Sequence, residues 1–248
     1  MKVSFIMQSY LGDYPNARSN PRFKFLRAVQ SVIDQNNKNS ELIIISDGCE
    51  ITHDLYFKHY KSNDRVKYAF VDKDAPKMYE NNKGSQYYRG FPRQIGIEMA
   101  TGDIIAYIDS DDFIIKNTVD VILHMWNQPG DFNAILTNTW YVNSIVKSIK
   151  SDKNLKFKKE NIVIENLPDS TEWCVCLPAN ENVILKSTSS ICHLKNINIK
   201  WEDVLVESGE SSSEDNVFVS KIIKQKNFVI NNKNPYYVVC HQHGVWDI

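Results

Sequence analysis

The stretch A-T-G-D-I-I-A-Y-I-D-S-D-D-F, Ala100 to Phe113, sets a short apolar run between a Gly-Asp turn and a burst of carboxylates. Ile104, Ile105, Ala106, Tyr107 and Ile108 have turn signals on both sides, the pattern of a strand buried on both faces. Asp109, Asp111 and Asp112 follow at its C-terminal end. In open α/β sheets that is the edge where ligands bind. Carboxylates this close repel one another unless a positive group sits among them. Hard divalent cations take oxygen ligands, so Mg2+ or Mn2+ bridging to a substrate phosphate suits these residues. A solvated acidic turn capping the next helix is the plainer alternative, and the stretch alone leaves both open.

Working outward, Val3 to Met7 reads as a first buried strand running into Gln8, Ser9 and Tyr10. After an irregular loop, Phe25, Leu26, Val29, Val32 and Ile33 recur at helical spacing. Leu42 to Ile45 is a second strand stopped by Ser46-Asp47-Gly48. A weaker helix around Leu55 to Tyr60 leads to a third strand, Val66 to Val71. This β-α-β-α-β order predicts a parallel sheet with helical crossovers. A polar loop over 72–86 precedes a helix from Tyr87 to Ala100, with Pro92 in its first turn or at a kink. Downstream, the pattern predicts a helix over Val119 to Trp126 and one strand over Asn133 to Trp140. The Lys-rich stretch 144–160 reads as a solvated loop and a boundary between two halves. Further expectations are strands over Trp173 to Ile184 and Ile197 to Val206, with a small helix near Ser187 to Lys195 between them. Ser211 to Glu214 resembles a capping box opening a helix with Phe218, Val219, Ile222 and Ile223 on its core face. Pro235 to Cys240 is a last strand, followed by His241-Gln242-His243.

The chain has 248 residues, enough for a substantial core, with 42% hydrophobic and 24% charged residues. A net charge of −1 excludes a global field that would draw the protein onto nucleic acid or an acidic membrane. No run approaches the ~20 apolar residues of an integral membrane segment. Met1 to Gln8 enters a strand without a leader pattern. The five cysteines, Cys49, Cys174, Cys176, Cys192 and Cys240, are odd in number and lack zinc-knuckle spacing. They read as reduced thiols of a cytoplasmic protein.

Taken together, the first strand, the Ser-Asp-Gly after the second, the helix R-Q-I-G-I-E-M-A-T-G-D (Arg93 to Asp103) and Y-I-D-S-D-D resemble a family 2 glycosyltransferase of GT-A fold. The resemblance covers roughly the first 140 residues, and beyond them Glu214-Asp215 and the terminal histidines. It implies an α/β, Rossmann-like fold with a mixed, mostly parallel sheet flanked by helices. Residues 1–143 would form the nucleotide-sugar-binding half. Residues 144–248 would form a smaller acceptor-binding half with the catalytic-base helix and the C-terminal His segment.

Carried over residue by residue, the resemblance implies that Gln8, Ser9 and Tyr10 contact the nucleotide and Asp47 the base or ribose. Arg93 would lie near the phosphates or base, Asp109 and Ser110 at the ribose side, and Asp111 on the metal, with Asp112 orienting the loop. Asp215 would be the general base, with Glu214 in reserve. An acidic pair in a first helical turn is also favoured simply by the helix dipole. His241 and His243, on alternate positions of an extended segment, would supply a further metal ligand, and which of them does so stays open. Trp173 and Trp201 could stack on an acceptor sugar, although tryptophans at such positions also serve as core.

The activity implied is a metal-dependent (Mn2+ or Mg2+), inverting transfer of a sugar from a nucleotide diphosphate sugar, a UDP-sugar in the first place, to a hydroxyl. The default acceptor is a glycan or lipid-linked saccharide. A modified nucleic acid is a further acceptor, for which the lysines over 147–159 are the one supporting feature. Two alternatives remain: a nucleotidyltransferase, and a relative that binds a nucleotide sugar without turnover.

Overall fold

The structure, a computed structural model, describes residues 1–13, 20–71, 87–137, 139–142, 163–166, 173–177, 188–201, 214–231 and 237–239. The first half alternates strand and helix: β1 (Val3–Ser9), α1 (Pro21–Ile33), β2 (Ser40–Asp47), α2 (Glu50–His59), β3 (Val66–Val71), α3 (Tyr87–Met99) and β4 (Ile104–Tyr107). There follow β5 (Phe113–Ile114), α4 (Thr118–Trp126), β6 (Ala134–Thr137), β7 (Thr139–Val142), β8 (Val163–Asn166) and β9 (Trp173–Leu177). The described chain closes with β10 (Ile191–Leu194), α5 (Glu214–Lys224), β11 (Phe228–Asn231) and β12 (Tyr237–Val239).

Among the described residues the main sheet has seven strands in the order β11-β6-β10-β4-β1-β2-β3. β10 runs antiparallel to both its neighbours, while the other pairs are parallel. The sheet is thus mixed and mostly parallel, flanked by helices, as the family resemblance implies. A second sheet, β5-β12-β7-β9-β8, lies beside it.

The apolar runs are continuous because the sheet is covered on both faces. Phe5, Met7, Leu42, Ile44, Ile104 and Ala106 meet Phe25, Ala28, Val29 and Val32 of α1 and Val119 and Ile122 of α4. Their neighbours Ile6, Ile43, Ile45, Ile105 and Tyr107 point the other way, onto Ile97 of α3 and Phe218, Val219 and Ile222 of α5. Each strand therefore serves two cores with alternate residues.

Three expectations change. The stretch read as a small helix near Ser187 to Lys195 is one 3-10 turn, Thr188–Ser190, followed by β10 in the middle of the sheet. Its alternation explains why: Ile191 joins one core and Cys192 the other. The strand expected from Ile197 does not appear over the described residues 197–201, which form a loop burying Ile199 and Trp201. The single strand read over Asn133 to Trp140 is two strands, β6 and β7, in different sheets. Pro92 lies inside α3, past its first turn. The 72–86 loop, the 144–160 stretch and Ser211 lie outside the described residues.

The sheet's amino edge is fastened by Glu41, which is 2% exposed. Its carboxylate takes hydrogen bonds from Ser4 Oγ at 2.7 Å and Thr101 N at 2.6 Å, and ion pairs with Lys2 at 3.0 Å and Lys67 at 2.9 Å.

Candidate functional site

β1, β2 and β4 are parallel, so the residues following them share one edge. Asp109 to Asp112 follow β4; Asp112 is fully buried, and its N–H donates to the Asp109 carbonyl at 3.2 Å, closing the turn. Gln8 and Asp47 end β1 and β2, and Gln8 Nε2 donates to Asp47 Oδ2 at 2.9 Å. Ser9 is fully buried and its hydroxyl pairs with Thr52 of α2 at 2.9 Å, so it is tied inward. Tyr10 packs against the first core. Ser110 is half-buried beside the two aspartates.

Arg93, near the middle of α3, joins the parts. Its guanidinium lies 3.2 Å from Glu214 Oε1, 3.0 Å from Asp215 Oδ1 and 3.8 Å from Asp109 Oδ1. Glu214 and Asp215 open α5, where the helix dipole favours acidic groups. One cation therefore holds together the acidic loop and the acidic pair of a helix more than a hundred residues away. It faces three carboxylates, whose mutual repulsion this one cation offsets only in part. Burial works against the charge on Arg93, and Asp215, Glu214 and Asp109 together hold it firmly protonated.

The carboxylates respond in the opposite direction. Burial raises the Asp215 pKa above the usual carboxylate range; Arg93 pulls it down and Glu214 pushes it up further. Thr188 Oγ1 donates to Asp215 Oδ2 at 3.4 Å, while Oε2 of the buried Glu214 has no hydrogen-bond partner among the described residues. Asp109 is also raised, first by desolvation and then by Asp215, Asp111 and Glu214, against the pull of Arg93. Since 38% of the Asp109 side chain still meets solvent, the crowding of like charges is the firmer cause.

Trp201, expected at an acceptor sugar, is fully buried. It stacks on Phe218, with ring centroids 4.0 Å apart and planes 7° apart, and carries the Arg93 guanidinium 4.9 Å from its ring centre. No face is left for a sugar; the indole is a platform for Arg93. Its Nε1–H donates to Tyr107 Oη at 3.1 Å, and Tyr107 Oη meets His193 Nε2 at 2.7 Å. His193 Nδ1 lies 2.8 Å from the Leu194 carbonyl, which can only accept, so Nδ1 carries the proton and Nε2 accepts from Tyr107. Trp173 opens β9 in the second sheet, but its side chain is outside the described ones. His241 and His243 lie outside the described residues altogether.

Asp109 and Asp111 carry oxygen donors of the kind that suits a hard divalent ion. Among the described residues, no three His, Cys, Asp or Glu side chains converge into a complete ligand set. The sequence pointed to Asp109, Arg93, Glu214 and Asp215, which the fold brings together. It did not point to Thr188 or to the Trp201-Tyr107-His193 chain, for which no local pattern exists.

Residues 24–184 match the model of the family described as Glycosyl transferase family 2. An uncharacterized glycosyltransferase of Rickettsia conorii is 30% identical over 128 residues, 51% of this chain and 18% of that protein. A glucosyl-dolichyl phosphate glucuronosyltransferase of Haloferax volcanii is 29% identical over 138 residues, 54% of this chain and 37% of that protein. The matched part thus spans well under half the length of these relatives. Among solved structures, S. aureus TarS in complex with UDP-GlcNAc aligns with a TM-score of 0.64 at 17% identity, over 100% of this chain and 60% of that one. That likeness is one of fold. Among the described residues, no helix is long and apolar enough to cross a membrane.

Proposed function

The chain belongs to glycosyl transferase family 2, and from that premise we propose that it moves a sugar from a nucleotide diphosphate sugar to a hydroxyl acceptor, with inversion. The observation that carries this reading is Arg93, which draws the acidic loop after β4 and the Glu214-Asp215 pair into one cleft at the carboxyl edge.

Asp215 is the general base. As the acceptor oxygen bonds to the anomeric carbon, its proton passes to the Asp215 carboxylate, and the bond from that carbon to the diphosphate oxygen breaks. A base with a raised pKa takes that proton more readily, and Arg93 opposes the rise, which favours the ionised form that accepts it. Glu214 is the reserve base and a second anchor for Arg93. Asp109 and Ser110 face the ribose, with Gln8, Tyr10 and Asp47 at the nucleotide; the buried Ser9 supports them from behind. Asp111, with His241 or His243, would hold a divalent ion, Mn2+ or Mg2+, which when bound neutralises the diphosphate leaving group. A UDP-sugar is the first donor to try, since a fold neighbour is solved with UDP-GlcNAc. A glycan or lipid-linked saccharide is the acceptor class to start from.

The test is the thermal midpoint of the protein with UDP, GDP, dTDP and CDP, each with and without Mn2+. A ligand at ~100 times its dissociation constant stabilises by about 2.7 kcal/mol. One nucleotide raising the midpoint only with metal is the expected result; no response to any of them overturns the donor assignment. Asp215→Asn should keep that binding and lower kcat by a factor of ~100 or more. Full activity in this variant would move the base elsewhere.

A further inference from the structure

The carboxylates of the acidic loop are available to a ligand only if something else holds the loop. Three side chains from outside the motif do so through its backbone. The Asp109 N–H donates to Tyr237 Oη at 2.8 Å, and Arg27 Nη2 donates to the Asp111 carbonyl at 2.6 Å. Just beyond, the Ile114 N–H donates to Ser31 Oγ at 3.2 Å. Arg27 and Ser31 project from α1 on one side, and Tyr237 comes from β12 on the other.

Each clamp is itself braced. Tyr237 is 1% exposed and sits opposite Ile114 in the β12-β5 ladder, so its hydroxyl is aimed back along the loop. The Arg27 guanidinium lies 5.1 Å from the ring centre of Phe113 and 6.0 Å from that of Phe23. The chemistry of the clamps also matters. A tyrosine hydroxyl receives the Asp109 amide without adding another negative charge to a crowded cleft. Burial, with Asp112, Asp109 and Asp111 nearby, keeps that hydroxyl protonated. Arg27 holds Asp111 through its backbone carbonyl.

We infer that Tyr237 and Arg27 are positioning residues for the donor site: they fix the backbone from Asp109 to Asp111 so that both carboxylates are set before the donor arrives. The inference rests on the reading that this loop holds the nucleotide and its metal. Groups that orient ligand-bearing residues in this way are worth about 10–100-fold in affinity or activity.

The experiment measures Mn2+-dependent binding of the nucleotide diphosphate selected by the panel above, in the full chain, for wild type, Tyr237→Phe, Arg27→Met, Arg27→Lys and Asp111→Asn, with the thermal midpoint of each. Tyr237→Phe removes one hydroxyl and should weaken metal-dependent binding about tenfold or more. It should also raise the donor KM and leave the acceptor KM unchanged. Arg27→Met should do the same, with Arg27→Lys recovering part of the loss because an ammonium can still donate to the carbonyl. A merely structural role would lower the midpoint and leave these binding constants at wild-type values; that result, with Asp111→Asn still abolishing binding, overturns the inference alone. If Asp111→Asn binds as wild type does, the loop is not the donor site, and the functional reading and this inference fall together. Tyr237→Phe decides the matter if the Arg27 variants do not fold.

Discussion

Arg93 keeps its place because its support is itself supported. Trp201 lies beneath the guanidinium, Tyr107 holds the indole N–H, and His193 receives the Tyr107 proton while donating to Leu194. The last member of this chain is neutral, because full burial disfavours the charged imidazolium and a second ring N–H would turn the Tyr107 hydroxyl proton away from its partner. Burial lowers its pKa from 6.5 to about 4, with the Leu194 carbonyl opposing in part. The unfolded chain therefore takes up the proton first as pH falls. This contribution to stability is complete above pH 6.5 and is lost as pH drops through 4. Urea midpoints measured across that window should show a loss on the order of 3 kcal/mol that is absent or much smaller in His193→Gln. Equal pH profiles for the two proteins would show that His193 is not the group that titrates.

At the scale of elements, α3 and its exit into β4 explain the glycines of the R-Q-I-G-I-E-M-A-T-G-D motif. A Cβ on Gly96 would collide with Ile6 Cγ2 and sit 3.5 Å from Ile45 Cγ1, so the helix lies directly on the sheet. A Cβ on Gly102 would come within 2.6 Å of the Lys2 carbonyl and of Ser4 Oγ. Gly96→Ala should therefore cost about 1–3 kcal/mol, seen as a lower midpoint, and should shift Arg93 one turn upstream enough to reduce turnover. Unchanged stability would mean that α3 has room to move. The same helix shows what could be read in advance. β1 to β4 have long buried runs and the acidic loop ends one of them, so the residues themselves pointed to Asp109, while the family resemblance added Arg93 and Asp215. β10 is four residues long and stands directly after a turn; its alternation means something only once both sheet faces are known to be covered. Trp201 and Tyr237 act through a ring face and a backbone amide, interactions that leave no spacing in the chain to recognise.

For the whole molecule, the decisive feature is the connectivity of the main sheet. Both neighbours of β6, β10 and β11, come from beyond residue 143, and β10 also covers the outer side of β4. Asp215, and Trp201 and His193 of the brace under Arg93, come from there as well. A fragment of residues 1–143 should therefore show no cooperative thermal transition and should bind a hydrophobic dye; a sharp melt would show that the first half closes by itself. The insertion of β10 has a further consequence, for the chain as it is made. On a ribosome, β4 emerges with its partner strand roughly 80 residues behind it, which at roughly 5–20 residues per second leaves a bare, apolar strand edge for roughly 4–17 s. Nascent chains of this protein should depend on chaperones over that interval, and slowing translation after β4 should lower the yield of soluble protein rather than raise it.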